Sequence, residues 1–213
     1  MTPQATVPVQ PTTIKASGLT LRHWRGWLAE VGVNSYWLHQ ELQLAVNWSQ
    51  PLLRVYGKVH PVPRLSCWIG DRGCSYRYSG VLHQPEDWIS PLEELRDVLE
   101  NHFGYRFNSL LLNRYRDGQD RMGWHADDEP ELIREHPIAS ISLGASRAFR
   151  FRPRSPFAKH ERSFNLILAD GDLLIMDPPT QQHWQHCLPT RRNVTAERLN
   201  LTFRRIAINK QLL

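Results

Sequence analysis

Seven residues near the end of the chain, Arg198-Leu199-Asn200-Leu201-Thr202-Phe203-Arg204, alternate polar and apolar without a break. Successive side chains of a strand leave opposite faces. The segment therefore predicts a strand that buries Leu199, Leu201 and Phe203 on one side and aims Arg198, Asn200, Thr202 and Arg204 together on the other. Two guanidiniums sharing a face predict a pocket for a small dicarboxylate, because the planar fork of arginine binds a carboxylate through two hydrogen bonds.

A second constellation lies upstream, in Gly123-Trp124-His125-Ala126-Asp127. His125 and Asp127 are two apart, so on an extended segment both side chains close on one ion. A third ligand is offered by His183 or His186, whose separation of three puts them on opposite faces if the segment is extended, leaving one of the two to serve. Two imidazoles and one carboxylate hold Fe(II) on one face and leave the opposite positions open, and the dicarboxylate that accompanies such an iron is 2-oxoglutarate. A zinc hydrolase built on the same three groups would have no use for the Arg198 and Arg204 face. A silent binding module would be expected to have lost a ligand.

With 213 residues and 41% hydrophobic content the chain is long enough for one well-buried domain and short for two. Residues 16–213 are expected to form it, after a Pro, Thr and Gln-rich tail at 1–15 that is expected to be disordered. That tail has no apolar run, so no signal peptide is expected and the protein should be soluble and intracellular, in cytoplasm and nucleoid or in a nucleus. Cys67, Cys74 and Cys187 are too few for a disulfide framework or a four-ligand zinc site. The net charge of +5 suits a polyanion.

Ser90-Pro91-Leu92-Glu93 opens the clearest helix, with Ser90 as N-cap, Glu93 closing a capping box, Leu92, Leu95, Leu99 and Phe103 on one face and Gly104 as the stop. A second helix is expected after Asn34-Ser35, with Trp37, Leu38, Leu42 and Ala45 on one side. Trp24, Trp27, Trp37 and Trp88 are expected in the core. Strands are predicted over 108–116, 138–153, 164–177 and 197–208. Helices first and strands after predict an α+β fold, helices backing a curved antiparallel sheet.

The blocks Leu112-Asn113-Arg114-Tyr115-Arg116-Asp117-Gly118, His125-Ala126-Asp127-Asp128-Glu129, Pro137-Ile138-Ala139-Ser140-Ile141-Ser142-Leu143-Gly144, His186-Cys187-Leu188-Pro189 and Arg198 to Arg204 resemble the AlkB-type Fe(II)/2-oxoglutarate nucleic-acid dealkylases, in order from about 53 to 206. Within that family Arg54-Val55-Tyr56-Gly57-Lys58 and Pro61-Val62-Pro63-Arg64 are most similar to the branch that repairs alkylated bases in double-stranded DNA, which usually has Phe where this chain has Tyr56.

The resemblance implies a double-stranded β-helix, or jelly roll, with nucleotide-recognition hairpins at about 50–85. It implies Fe(II), 2-oxoglutarate and oxygen as cofactor and cosubstrates. The third iron ligand precedes Leu-Pro in the family, which selects His186. Asn113, Tyr115, Arg198, Thr202 and Arg204 are then expected to line the 2-oxoglutarate pocket. The family pattern also implies Tyr56, Gly57 and Lys58 as a wedge in the base stack, Tyr76 and Tyr78 as a wall over a flipped base, and Asp128 and Glu129 beside that base. The partner implied is DNA, duplex preferred and single strand possible, and the protein is expected to be a monomer. The expected reaction removes N-alkyl groups, such as those of 1-methyladenine and 3-methylcytosine, as formaldehyde, the alternative being the same chemistry on RNA or protein. Arg147, Arg150, Arg152, Arg154, Lys159 and Arg162 form a basic cluster expected to meet phosphates.

Overall fold

A computed structural model describes residues 10–55, 57–74, 76–78, 81–154 and 156–208; the side chains of 53–55, 76–78, 81–83 and 158 lie outside the described set. The chain begins with β1 (Thr12–Ala16), β2 (Leu19–Trp24), α1 (Trp27–Glu30) and α2 (Ser35–Ala45). It continues through β3 (Leu52–Val55), β4 (Lys58–Pro61), β5 (Leu65–Gly70), β6 (Tyr76–Tyr78), β7 (Val81–His83) and α3 (Ser90–Phe103). Then come β8 (Ser109–Tyr115), β9 (Met122–His125), β10 (Ile138–Gly144), β11 (Arg147–Pro153), β12 (Phe164–Leu168) and β13 (Leu173–Asp177). Last are α4 (Thr180–His183), β14 (Trp184–Leu188) and β15 (Arg198–Arg204).

Among the described residues, seven strands pair in the order β1-β2-β13-β10-β15-β8-β5 and four in the order β12-β11-β14-β9, and β3 with β4 and β6 with β7 form separate hairpins. Two apolar clusters show how the layers stack. Leu199, Leu201 and Phe203 of β15, with Leu110, Leu112, Ala139, Ile141, Leu173 and Ile175, pack against Trp27, Leu38, Leu42, Leu92, Leu95 and Leu99 of the helices. From the other face of the large sheet Leu21, Ile138, Leu174 and Met176 meet Phe149, Phe151, Leu168, Trp184 and Leu188 of the small sheet. Helices, large sheet and small sheet thus make three layers, with two antiparallel sheets facing each other as in a jelly roll. The expected α+β class holds, and no described helix is long and apolar enough to cross a membrane.

Several local expectations change. The chain starts with a hairpin rather than a helix: Ala16 pairs with Leu19 across the two-residue turn Ser17-Gly18, so ordered structure begins within the stretch assigned to a tail. The run 138–153 is two strands. In α3 the N-cap is Ile89, in extended conformation, so Ser90 is already helical and its hydroxyl meets Glu94 Oε1 at 2.9 Å; no capping box with Glu93 forms. Gly104 does end that helix in the left-handed region. In α2, capped by Asn34, Leu38 and Leu42 occupy the face that packs on the sheet, while Trp37, about 100° round the helix, is 55% exposed and Ala45 is exposed too. Trp24 and Trp27 are buried, and Trp88 packs half-buried against the core.

Gly118 joins two loops by close approach. Its N–H donates to Val194 O at 2.7 Å, its carbonyl accepts from Arg191 N at 2.6 Å, and a Cβ there would lie 1.7 Å from Arg191 O. Only glycine fits.

Candidate metal and cosubstrate site

β15 performs as its alternation requires. Arg198, Asn200, Thr202 and Arg204 all project between the two sheets, where they share a pocket with Leu111, Asn113 and Tyr115 of β8, Ser140 of β10, Met176, and the metal-ligating candidates. Antiparallel register explains the grouping: Asn200 lies opposite Asn113 and Ser142, and Thr202 opposite Leu111 and Ser140.

The small sheet supplies the histidines. His125 ends β9 and lies directly opposite His186 in the middle of β14, ring centroids 4.2 Å apart. Asp127, two residues beyond the strand, turns back so that His186 Nε2 is 3.8 Å from its Oδ2. The ligand atoms of the three lie within 4.8 Å of one another, as one ion requires. His125 Nδ1 is 2.9 Å from Gly123 O; a carbonyl only accepts, so Nδ1 carries the proton and Nε2 keeps its lone pair.

Electrostatics hold His186 and Asp127 in their ligating forms. Burial, with His125 adding to it, pushes His186 down to about 3, so the ring is neutral. Burial works to raise the Asp127 carboxyl, but Arg204, His186 and His125 together hold it below the usual carboxylate range. Arg204 donates from Nη2 to Asp127 Oδ1.

His183 stands apart for a reason other than strand alternation. It ends helix α4, where its ring packs on Phe157 with centroids 4.5 Å apart, and its Cβ would lie 2.7 Å from a Cβ placed on Gly18.

At the far end of the pocket Arg198 is 1% exposed. Its Nη2 donates to Ser142 Oγ at 2.9 Å and Asn200 Oδ1 at 2.7 Å, its guanidinium lies 5.6 Å from the Tyr115 ring centroid, and its Nε finds no hydrogen-bond partner. Burial lowers its pKa to about 10, and no carboxylate among the described residues offsets it. A buried cation without a counter-ion is costly, so this site is built for an anion that arrives from outside.

Other expected residues distribute unevenly. Asn113 and Tyr115 are buried in the pocket; Asp128 is exposed and paired with Arg154; Glu129 is half-buried. Gly57, at φ +79, and exposed Lys58 complete the β3-β4 turn, while Tyr56 lies outside the described residues. Tyr76 and Tyr78 belong to β6, their side chains outside the described set. Arg147 leaves the basic cluster: it is 2% exposed and donates to the carbonyls of Asp117, Asp120 and Pro189 at 3.1, 2.9 and 2.8 Å. Arg205, next to Arg204, is exposed, as alternation demands. Sequence reasoning missed Ser140, Ser142 and Gln181. The two serines alternate with Ala139, Ile141 and Leu143, the signal used for β15. Gln181, whose Oε1 accepts the N–H of Asp127 at 3.0 Å, carried none.

Comparison with known proteins agrees with this geometry. The chain is 46% identical over 176 residues to the DNA oxidative demethylase ALKBH2 of Bos taurus, covering 79% of this chain and 63% of that protein, so the match spans less than two thirds of the bovine relative. It is 44% identical over 181 residues to the Homo sapiens ALKBH2, covering 82% of this chain and 69% of that one. The alkB homolog 3 of Rattus norvegicus is 38% identical over 177 residues, 80% of this chain and 59% of the relative. The solved structure of OsALKBH1 superposes with a TM-score of 0.61 at 15% identity, over 91% of this chain and all of that one, and shares the fold. The 2OG-Fe(II) oxygenase superfamily matches residues 20–204, a span that holds every strand from β3 to β15, all but the first residue of β2, and the candidate metal cluster. The chain therefore belongs to the 2OG-Fe(II) oxygenase superfamily.

Proposed function

We propose that this chain is an oxidative DNA dealkylase that uses Fe(II), 2-oxoglutarate and oxygen to remove N-alkyl groups from bases such as 1-methyladenine and 3-methylcytosine. The observation that carries the oxygenase reading is Arg198, a buried guanidinium without a carboxylate partner among the described residues, in one pocket with the His125, Asp127 and His186 cluster. A dicarboxylate cosubstrate supplies the missing charge. The choice of DNA draws on the relatives named as DNA oxidative demethylases.

His125, Asp127 and His186 would hold the metal. Arg204, already on Asp127, would hold one carboxylate of 2-oxoglutarate, and Arg198, with Ser142, Asn200 and the Tyr115 side, would hold the other. Asn113, Tyr115 and Thr202 line the space between. When bound, iron with oxygen and 2-oxoglutarate supplies the oxidising power that hydroxylates an N-alkyl carbon, after which the adduct on nitrogen separates into an aldehyde and the restored base. Water is kept out by Phe149, Leu111, Met122 and Met176 around the site.

Duplex is the preferred substrate in this reading, and a monomer suffices for it. The β3-β4 turn with Tyr56, Gly57 and Lys58 serves as the wedge, Tyr76 and Tyr78 as the wall over the extruded base, and Asp128 and Glu129 as its polar neighbours. Phosphates are met on the outer face of the small sheet. There Arg152 and Arg150 lie 4.4 and 5.7 Å from the Trp124 ring centroid, and both act with Arg191 on the Cys187 thiol, whose pKa burial raises and these guanidiniums oppose. No carboxylate pairs with these three among the described residues.

Incubating the protein with Fe(II), 2-oxoglutarate and oxygen on methylated duplex, single-stranded DNA and RNA, with succinate and base mass measured together, tests the assignment. Demethylated duplex with matching succinate is expected. Succinate without any nucleic-acid product would remove the DNA reading and leave the oxygenase.

A further inference from the structure

The three ligating side chains are secured by different means. His125 and His186 face each other inside the β9-β14 ladder, so strand pairing fixes them. Asp127 lies beyond the end of β9, where the ladder no longer holds the chain. Its backbone N–H donates instead to Gln181 Oε1 at 3.0 Å. An N–H can only donate, so the amide of Gln181 must turn its oxygen to Asp127 and its NH2 away, and that NH2 lies 3.3 Å from Met176 Sδ.

Gln181 is itself anchored. Its neighbour Thr180 is buried, accepts Thr20 N–H at 3.1 Å and donates to Thr20 O at 3.3 Å, which bolts α4 to β2 of the large sheet. Arg154 Nη1 reaches the carbonyl of Gln181 at 3.4 Å while pairing with Asp128. Against this, Arg204 pulls on Asp127 Oδ1 from the cosubstrate side. The carboxylate is thus drawn by one guanidinium, and only the backbone hold decides whether Oδ2 stays turned to His186 and the ion.

We propose that Gln181 is a positioning residue for the metal centre: by accepting the Asp127 N–H it fixes the loop after β9 so that one carboxylate oxygen is kept for the ion while the other serves Arg204. This role presupposes the metal centre proposed above. It acts through Asp127, whose backbone N–H it accepts. Groups that orient a first ligand in this way are worth about 10- to 100-fold in metal affinity.

The test is a Mn(II) titration of metal-free protein, followed by the signal of the free ion, for the parent, Gln181→Leu and Gln181→Glu, with a melting curve for each. Leu removes the acceptor, and binding should weaken by about 10- to 100-fold while the metal-free melting temperature stays close to the parent. Glu keeps an acceptor at the same reach and should bind within about threefold of the parent or more tightly. A Leu variant within about twofold of the parent, or Leu and Glu variants equally weakened, would overturn the role. If the Leu protein does not fold, the Glu variant decides alone: affinity reduced by more than about threefold overturns it, and affinity kept supports it. A parent that takes up no Mn(II) removes the metal centre itself, an outcome distinct from failure of Gln181.

Discussion

Arg204 of β15 donates to the carboxylate of Asp127, so the strand that lines the pocket between the sheets also grips one member of the candidate metal cluster. Arg198, on the same face of the same strand, touches no ligand. The two arginines should therefore fail differently. Arg198→Lys, which lacks the planar fork, should raise half-saturating 2-oxoglutarate about 10- to 100-fold and leave Mn(II) affinity unchanged. Arg204→Lys should impair both. Succinate titrations beside metal titrations check this, and identical behaviour of the two variants would sink the division of labour.

His125→Ala, Asp127→Ala and His186→Ala should each abolish turnover, whereas His183→Ala, whose ring packs on Phe157 at the end of α4, should keep a large part of it. Initial rates on a methylated oligonucleotide decide. An active His186→Ala beside a dead His183→Ala would exchange the two assignments.

Arg147 should act on stability rather than on nucleic acid. Arg147→Met leaves three carbonyls without their charged donor and should cost about 2–4 kcal/mol in urea unfolding, with the salt dependence of DNA binding unchanged. Arg150→Ala, Arg152→Ala or Arg191→Ala should instead leave stability near the parent and flatten the logarithmic salt slope by roughly one unit each. A slope unmoved by all three would make that face a solubilising one.

Asp172 should shape the acid side of the stability profile. Burial opposes its charge, but His23 Nε2 at 2.9 Å and the N–H groups of Ala169 and Gly26, both at 2.9 Å, outweigh it and hold the carboxyl below 3.8. The unfolded chain then binds the proton first. This contribution is complete above the unfolded pKa and is lost as pH falls through it toward the folded value. Asp172→Asn should be less stable than the parent near about pH 7 and lose less between about pH 5 and pH 3; equal losses in urea midpoints would refute the assignment.

Tyr56, between Val55 and Gly57, carries the prediction most particular to this chain. Tyr56→Ala should lose most of its activity on a methylated duplex and little on the same lesion in a single strand, since a stacked ring recovers roughly 1–3 kcal/mol that only the duplex demands. Tyr56→Phe should remain close to the parent. Equal losses on both substrates, together with a large fall in melting temperature, would make Tyr56 a packing residue.

What could be read from residues alone follows a physical line. β15, the helix ending at Gly104 and the His125, Asp127 pair were legible because their periodicities are local. The β1-β2 hairpin was equally legible in Leu19 to Trp24 and the Ser17-Gly18 turn, and was overlooked. Arg147 was not legible, because nothing near it in sequence announces that carbonyls 30 and 42 residues away would enclose it. Gln181 was hidden for the same reason: an uncharged side chain in a short helix gains its meaning only when Asp127, 54 residues earlier, folds back beside it. Trp37 misled because helical spacing identifies a face without saying how wide the covered part is.

Among the described residues β9 is the outermost strand of the small sheet, four residues long and paired on one side only, yet it ends in His125 of the candidate metal cluster. Such an edge frays easily, and an ion held by both His125 and His186 would act as its rivet. Deuterium uptake at the amides of 122–127 should therefore drop sharply when Mn(II) is added, while α3 exchanges at the same pace with or without the ion. Loaded and empty protein would then share one architecture and differ in how long the rim of the site stays shut.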